Sequence, residues 1–287
     1  MKRFVLPLAA VFALAGLAAD GQDWNRAQDL YQRTDYSGSL RVLRGVRSPD
    51  ARTYSLMGQD YYMLGQFKQA VDNFEKAAAL DSRNSDYALW LGRAWGRRAE
   101  TASVFTAPMA ASKARQYFEL AVKLDPHNKE ATGDLFDYYL NAPGILGGGL
   151  DKASALAQHI AREDEAEGHF AQAQLADRRK EYDTAEMQLR RAVELAPHQV
   201  GRILDLARYL AKQGRVQESD AVFAQAEKID PNSPKLIYTR AKTYIEEKRN
   251  LDQAQKLLKR YMQCNLTPED PPKQEAERLL AKASGVS

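Results

Sequence analysis

Residues 51 to 84 read ARTYSLMGQDYYMLGQFKQAVDNFEKAAALDSRN. Within them Tyr54, Met57, Gly58 and Tyr61 fall at the spacing that gathers side chains on one face of an α-helix. Gly65 and Phe67 mark a turn, and Ala70, Phe74 and Ala77 restart the same period. The stretch predicts helix, turn, helix.

The pattern returns along the chain. Ile203, Leu206, Ala207 and Leu210 lead to Gly214, then to Ser219, Phe223 and Ala226, and the segment closes at Asp230 and Pro231. A third copy runs from Ala173 and Ala176 through a turn at Tyr182 to Ala185, Leu189, Ala192 and Pro197. A fourth has Ile237, Ala241 and Tyr244, followed by Ala254 and Leu258. The small residues can be counted against one another, because Gly58 to Gly92, Ala173 to Ala207 and Ala207 to Ala241 are each 34 apart. A small residue is needed where paired helices approach closely, since a larger side chain would push them apart.

On these residues the chain resembles the tetratricopeptide repeat family, whose unit of about 34 residues carries a Leu-Gly pair between large residues, then Ala, an aromatic and Pro. The resemblance implies an all-α, right-handed superhelical solenoid of about seven helix-turn-helix repeats over residues 22–265. A linker and capping helix are expected over 266–287, with Ala276, Leu279 and Leu280 on the covered side. Two units depart from the pattern. The N-terminal one, with Ala27, Leu30, Ser39 and Leu43, is degraded, and another carries Phe136 at the small position, which predicts a splayed or re-angled helix pair.

Two insertions interrupt the count. The small residues of the two helices lie 12 apart in Gly58 to Ala70 and in Ala207 to Ser219, but 22 apart in Gly92 to Ala114 and 17 in Phe136 to Ala153. The first insertion, near 97–108, is expected to lengthen a helix before a turn at Pro108. The second, near 142–149, reads Ala-Pro-Gly-Ile-Leu-Gly-Gly-Gly and cannot stay helical. Because both lie between the helices of consecutive pairs, they are expected to meet as a raised lip. Ile145 and Leu146 are expected to pack back onto the repeats. Backbone amides of Gly147 to Gly149 offer an anion cradle as the alternative, although neither a Gly-Lys-Ser/Thr ending nor a preceding strand supports it.

In the tetratricopeptide family the first helix of each pair lines a concave groove. The resemblance therefore points to Gln59, Tyr62, Trp90, Arg93, Arg97, Asp134, Asp137, Arg208, Tyr238 and Lys242 as partner-binding residues. Tyr62 and Trp90 would be broad apolar anchors, and Arg93 and Arg97 would clamp carboxylates. Packing between helices is the competing reading of Trp90, whereas Trp95 falls at a core position. The Lys and Asn set with which some family members grip a C-terminal carboxylate is not reproduced.

Composition narrows the function. Lys and Arg number 41 against 38 Asp and Glu, dispersed without a basic block, which argues against nucleic acid. His127, His159, His169 and His198 are scattered, without metal-ligand spacing, and no nucleophile motif occurs. No metal, cofactor or catalysis is expected. Lys2 and Arg3 precede an apolar run from Phe4 to Leu17 and small residues at Ala18 and Ala19, the pattern of a secretory signal peptide over 1–21 with cleavage after 18 or 21. Cys264 has no second cysteine to pair with in the chain. The expected protein is thus an exported, most naturally periplasmic, non-catalytic adaptor for a protein or peptide. A small-ligand or anion receptor built on the glycine-rich lip is the alternative.

Overall fold

A computed structural model describes residues 21–285. The expected signal segment, residues 1–20, lies outside the described residues. All regular structure among them is helical: α1 (21–32), α2 (Tyr36–Leu43), α3 (Ala51–Met63), α4 (Phe67–Leu80), α5 (Ser85–Thr101), α6 (Ala107–Leu124), α7 (Lys129–Asn141), α8 (Leu150–Glu163), α9 (Glu165–Arg178), α10 (Tyr182–Leu195), α11 (Val200–Lys212), α12 (Val216–Ile229), α13 (Pro234–Glu246), α14 (Leu251–Tyr261) and α15 (Lys273–Ala283). These form seven consecutive pairs and a last helix packed on both α13 and α14. The chain divides into two compact units, Met1–Leu135 and Phe136–Ser287, with the boundary inside α7.

One turn design recurs in the pairs without a long insertion. Thr34, Gly65, Lys180, Gly214 and Lys248 all have positive φ, between 52° and 73°. Each stands seven positions after the small residues Ala27, Gly58, Ala173, Ala207 and Ala241 respectively. A left-handed residue here ends the first helix and lets the next amide return to an unpaired carbonyl, as Gln66 N–H does to Tyr61 O at 2.8 Å. Glycine meets this need without steric cost at only two of the five sites. At the other end of several pairs an aspartate closes the chain. Asp81, Asp125 and Asp230 each accept from the amide two residues on, and Asn84, Asn128 or Ser233 then caps the next helix.

Packing follows the count of small residues. A Cβ built on Gly58 would lie 2.6 Å from Phe74 Cε1, and one on Gly92 would lie 2.5 Å from Phe118 Cδ1. Both rings therefore rest on bare backbone. Ala207 faces Phe223 in the same register, and both are fully buried. At the second-helix position Ala70, Ala153, Ala185, Ser219 and Ala254 are all 0% exposed, and the Ser219 hydroxyl donates to Ala207 O at 2.8 Å.

Phe136 does not require the splayed pair expected from it. Allowing for its five-residue insertion, the position that holds Phe74 in the regular unit is Ala157 here. Phe136 and Ala157 are both buried in one cluster with Leu140, Ala153 and Ile160. Large and small have changed sides, so the summed volume across the pair is preserved.

The insertions are built differently. Helices α5 and α6 have 17 and 18 residues, against 13 and 14 in α3 and α4, so each gains about one turn and the loop 102–106 gains the rest. The turn thus precedes Pro108, which occupies the first turn of α6, where its missing N–H costs nothing. In the second insertion α7 and α8 keep ordinary lengths and the whole excess lies in residues 142–149, which include a 3-10 turn at Gly144–Leu146. Ile145 is 93% exposed, contrary to the expectation that it packs back; the Tyr138 hydroxyl pins Leu146 O at 2.9 Å and leaves the neighbouring side chain outside.

Candidate functional site

Each unit carries a hollow of about 350 Å³ along its first helices. In the first unit Trp24 and Gln28 of α1, Ser55 and Gln59 of α3, Tyr87 and Trp90 of α5, and Glu130 of α7 line it. Gln59 and Trp90 thus stand where the family resemblance put them. Trp90 serves both readings offered for it: its ring stacks on Phe74 at 5.7 Å and meets Tyr62 edge-on at 5.4 Å, while its remaining edge faces the hollow. Tyr62 is wedged between Trp90 and Phe67, and burial raises its pKa.

The expected carboxylate clamp is already closed. Arg93 donates from Nε to Asp134 Oδ2 at 2.6 Å and from Nη2 to Oδ1 at 3.4 Å, while Nη1 meets Glu130 at 2.9 Å. Burial works against the Arg93 charge, yet the hydrogen bonds and charges of Asp134 and Glu130 outweigh it and raise the pKa. Its guanidinium also lies 4.9 Å from the Trp90 ring centroid. Arg97 is paired with Glu100 and covers the Phe67 ring at 5.2 Å. Of the basic and acidic residues read as neighbouring ligand contacts, Arg93 and Asp134 therefore satisfy each other, and Arg97 is held by Glu100.

In the second unit the hollow is lined by Phe170, Gln174 and Asp177 of α9, by Asp205, Arg208, Tyr209 and Lys212 of α11, and by Thr243 and Glu246 of α13. Lys212 Nζ meets Asp177 Oδ2 at 2.8 Å, and Arg202 donates to Asp205 at 2.8 Å while also pairing with Glu167. Burial pushes the Asp205 pKa upward against the opposing charges of Arg202, Arg208 and Lys235. Arg208 is more open, with 55% of its side chain exposed and its nearest carboxylate oxygen, on Asp205, at 3.9 Å. Lys242 stands one turn from Glu246, at 4.0 Å. Asp137 lies on α7, where its carbonyl accepts from Asn141.

Tyr238 is displaced from the partner-binding set. It is only 5% exposed, packs on Tyr261 at 5.1 Å between ring centroids, and belongs to the cluster that Ala276 and Ala283 of α15 close. The capping helix thus covers it. Missed by the sequence reading were Trp24, Gln28, Phe170, Gln174 and Asp177, although a usable signal existed. They stand three before, one after or four after Ala27 and Ala173, the same offsets that give Ser55, Gln59 and Tyr62 from Gly58.

The glycine-rich insertion offers no anion cradle. The amides of Gly147, Gly148 and Gly149 donate to Gly144 O, Pro143 O and Tyr139 O at 2.9, 3.3 and 2.8 Å. Gly148 is needed for space, since a Cβ there would stand 1.9 Å from Ala142 O. Among the described residues no group of histidine, cysteine and carboxylate side chains is placed to hold a metal, and no helix is long and apolar enough to cross a membrane.

A family model described as tetratricopeptide repeat matches residues 51–84. No curated protein matches the sequence. Among solved structures, a tetratricopeptide repeat protein from Parabacteroides merdae is 14% identical, with a TM-score of 0.60 over 93% of this chain and 99% of that one. A thermophilic protein of the same repeat class from Thermus thermophilus is 19% identical, with a TM-score of 0.55 over 67% of this chain and 99% of the other. These likenesses show the fold, an architecture that generally serves as a scaffold for binding proteins or peptides. One unit is matched by the family model and the others are built on its count, or on that count plus an insertion, so the chain has the fold of tetratricopeptide repeat proteins.

Proposed function

We propose that this chain is a non-catalytic adaptor of the cell envelope that holds an extended segment of a partner protein along the first helices of its second unit. The observation that carries the reading is a ladder of charge. Asp177, Lys212 and Glu246 come from three successive first helices, line one hollow, and alternate in sign. Arg208 adds an open cation, and Phe170 and Tyr209 supply apolar surface between the charges. Two steps between neighbouring helices span roughly 18 Å, the reach of about six extended residues. A partner segment bearing both signs of charge would exchange the internal pair of Lys212 and Asp177 for intermolecular ones, a contact that sets specificity and register more than raw affinity.

Export rests on the sequence: Lys2 and Arg3, the apolar run to Leu17 and the small residues behind it. N-terminal sequencing of the cellular protein is expected to find a start near Ala19 or Gln22. The binding reading is tested by capture from envelope extracts with the parent chain and with Arg208→Glu plus Lys212→Glu. Capture should fall by at least tenfold at unchanged helical content, equivalent to about 1.4 kcal/mol. Equal capture by the groove variant, with loss on changing Gln217 or Glu218 of α12, would place the active surface on the second helices and reject the model.

A further inference from the structure

The largest apolar exposure in the first unit is not in its hollow but at the tip of its insertion. Phe105 is 94% exposed, Val104 85% and Met109 50%. A phenylalanine and a valine side by side in water are unfavourable unless something covers them, and this stretch is peculiar to the chain, being surplus to the repeat. From Thr101 to Ser112 the sequence TASVFTAPMAAS contains no charged residue, although 28% of the whole chain is charged.

The tip's polar groups are largely spent on itself. Ser103 and Thr106 hydroxyls bond each other at 3.0 Å, and the Thr101 hydroxyl donates to Arg97 O at 3.1 Å. The amides of Ala102, Thr106 and Ala107 donate to Ala99 O, Ser103 O and Ser103 O. A loop meant for a shaped protein pocket would turn directional donors and acceptors outward. This one bonds its hydroxyls to one another and to its own backbone, and its most exposed side chains carry no donor or acceptor, which suits contact with an apolar medium.

Around its base stand cations. Arg98 and Lys113, one from each helix flanking the loop, both lie over the Trp95 ring, 4.3 and 4.2 Å from its centroid. Arg97 and Arg115 add two more, and the acids among them, Glu100 and Glu119, are engaged by Arg97 and Arg115. Arg98 and Lys113 thus remain to meet an external anion. An apolar tip above a cationic collar is the complement of an anionic lipid surface, with the tip at the acyl boundary and the collar at the headgroups.

We propose that residues 102–109 are a peripheral membrane anchor, which seats Val104, Phe105 and Met109 in the interface of an anionic bilayer. A single apolar tip supports reversible attachment only, and headgroup charge adds to it. The anchor would hold the adaptor at a bilayer surface without a membrane-spanning helix.

The test is local to the loop, so that the apolar N-terminal run of the full chain does not confound it. A full-length Cys264→Ser, Val104→Cys chain carries a polarity-sensitive nitrobenzoxadiazole label. It is mixed with phosphatidylcholine vesicles, with or without phosphatidylglycerol. Blue-shifted and brightened emission is expected with the anionic vesicles. Phe105→Ser with Met109→Ser should weaken the partition read by the label roughly tenfold or more. Arg98→Glu with Lys113→Glu should remove the preference for phosphatidylglycerol. Emission unchanged by vesicles of either composition overturns the proposal. So does a blue shift that grows with protein concentration in the absence of lipid, which would assign the tip to a second copy of the chain. A shift produced only by a protein from an envelope extract would assign it to a protein partner and overturn it equally.

Discussion

Asp60→Asn should stabilise the chain at alkaline pH and leave it nearly unchanged at pH 4. Asp60 lies on α3 and is fully buried against α2, where Ser39 Oγ donates to its Oδ2 at 2.7 Å and Oδ1 has no partner. The ionisable groups around it are Tyr31 of α1 and Asp35 at the start of α2, and neither is a cation. Burial is the main cause that pushes the Asp60 pKa up from 3.8 to about 8; the Ser39 hydrogen bond opposes it and the Asp35 charge adds to it. The native state thus binds the proton more tightly than the unfolded chain, so this site contributes its full stability below pH 3.8 and loses it as pH rises through about 8.

At about 1.4 kcal/mol per pH unit, a shift of roughly four units sets a ceiling near 5 kcal/mol, which water entry and local relaxation reduce. Asparagine keeps the shape and the acceptor for Ser39 but cannot ionise. The assay is urea unfolding of parent and variant at matched pH values from 4 to 9, which cancels the opposite slopes of ordinary surface carboxylates such as Asp50 and Glu218. The difference should grow from near zero at pH 4 to about 2–5 kcal/mol at pH 9 in favour of the variant. A difference constant across pH, or one favouring the parent at pH 9, would mean that Asp60 is ionised in the fold and the reasoning fails.

Two further outcomes test the packing. Gly58→Leu should lower stability by about 1–3 kcal/mol through overpacking, because even a Cβ would lie 2.6 Å from Phe74; unchanged denaturant midpoints would mean that the register is wrong. Phe136→Ala alone should cost about 3–5 kcal/mol, and adding Ala157→Phe should return at least half of it, since the pair would then match the order of Gly92 and Phe118. Simple addition of the two losses in a double-mutant cycle would show that the volumes are not exchanged across that pair.

The fold was legible because its design rests on distances along the chain. The 34-residue count, the seven pairs and the cap all follow from small residues, and these are where backbones meet. Volume exchange across a pair was not legible at Phe136, because it shows only when the insertion is subtracted and Ala157 falls where Phe74 would be. Of the residues expected to contact a partner, Gln59, Trp90 and Arg208 line the two hollows. The sequence did not reveal that Arg93 would be satisfied by Asp134 and Glu130, since residues separated by 41 and 37 positions carry no local sign of pairing. The buried carboxyl of Asp60 was equally hidden, because a polar residue close to Gly58 in sequence reads as surface until the preceding pair covers it.

Register alone does not decide what a partner can touch. Trp24 and Tyr238 stand at the same offset, three residues before Ala27 and Ala241, yet one lines a hollow and the other lies under α15. The same offset is buried elsewhere too, at Ser55, Leu89 and Leu204, so the partly open Trp24 is a departure. α15 brings Ala276 and Ala283 against the α13 and α14 pair and draws Gln255 to Ala283 O at 3.0 Å. On α13 the buried Thr243 and the exposed Glu246 line the hollow that Arg208 and Lys212 also line, while Lys242 does not. Removing α15 would expose the Tyr238, Tyr244 and Tyr261 cluster and favour aggregation over binding.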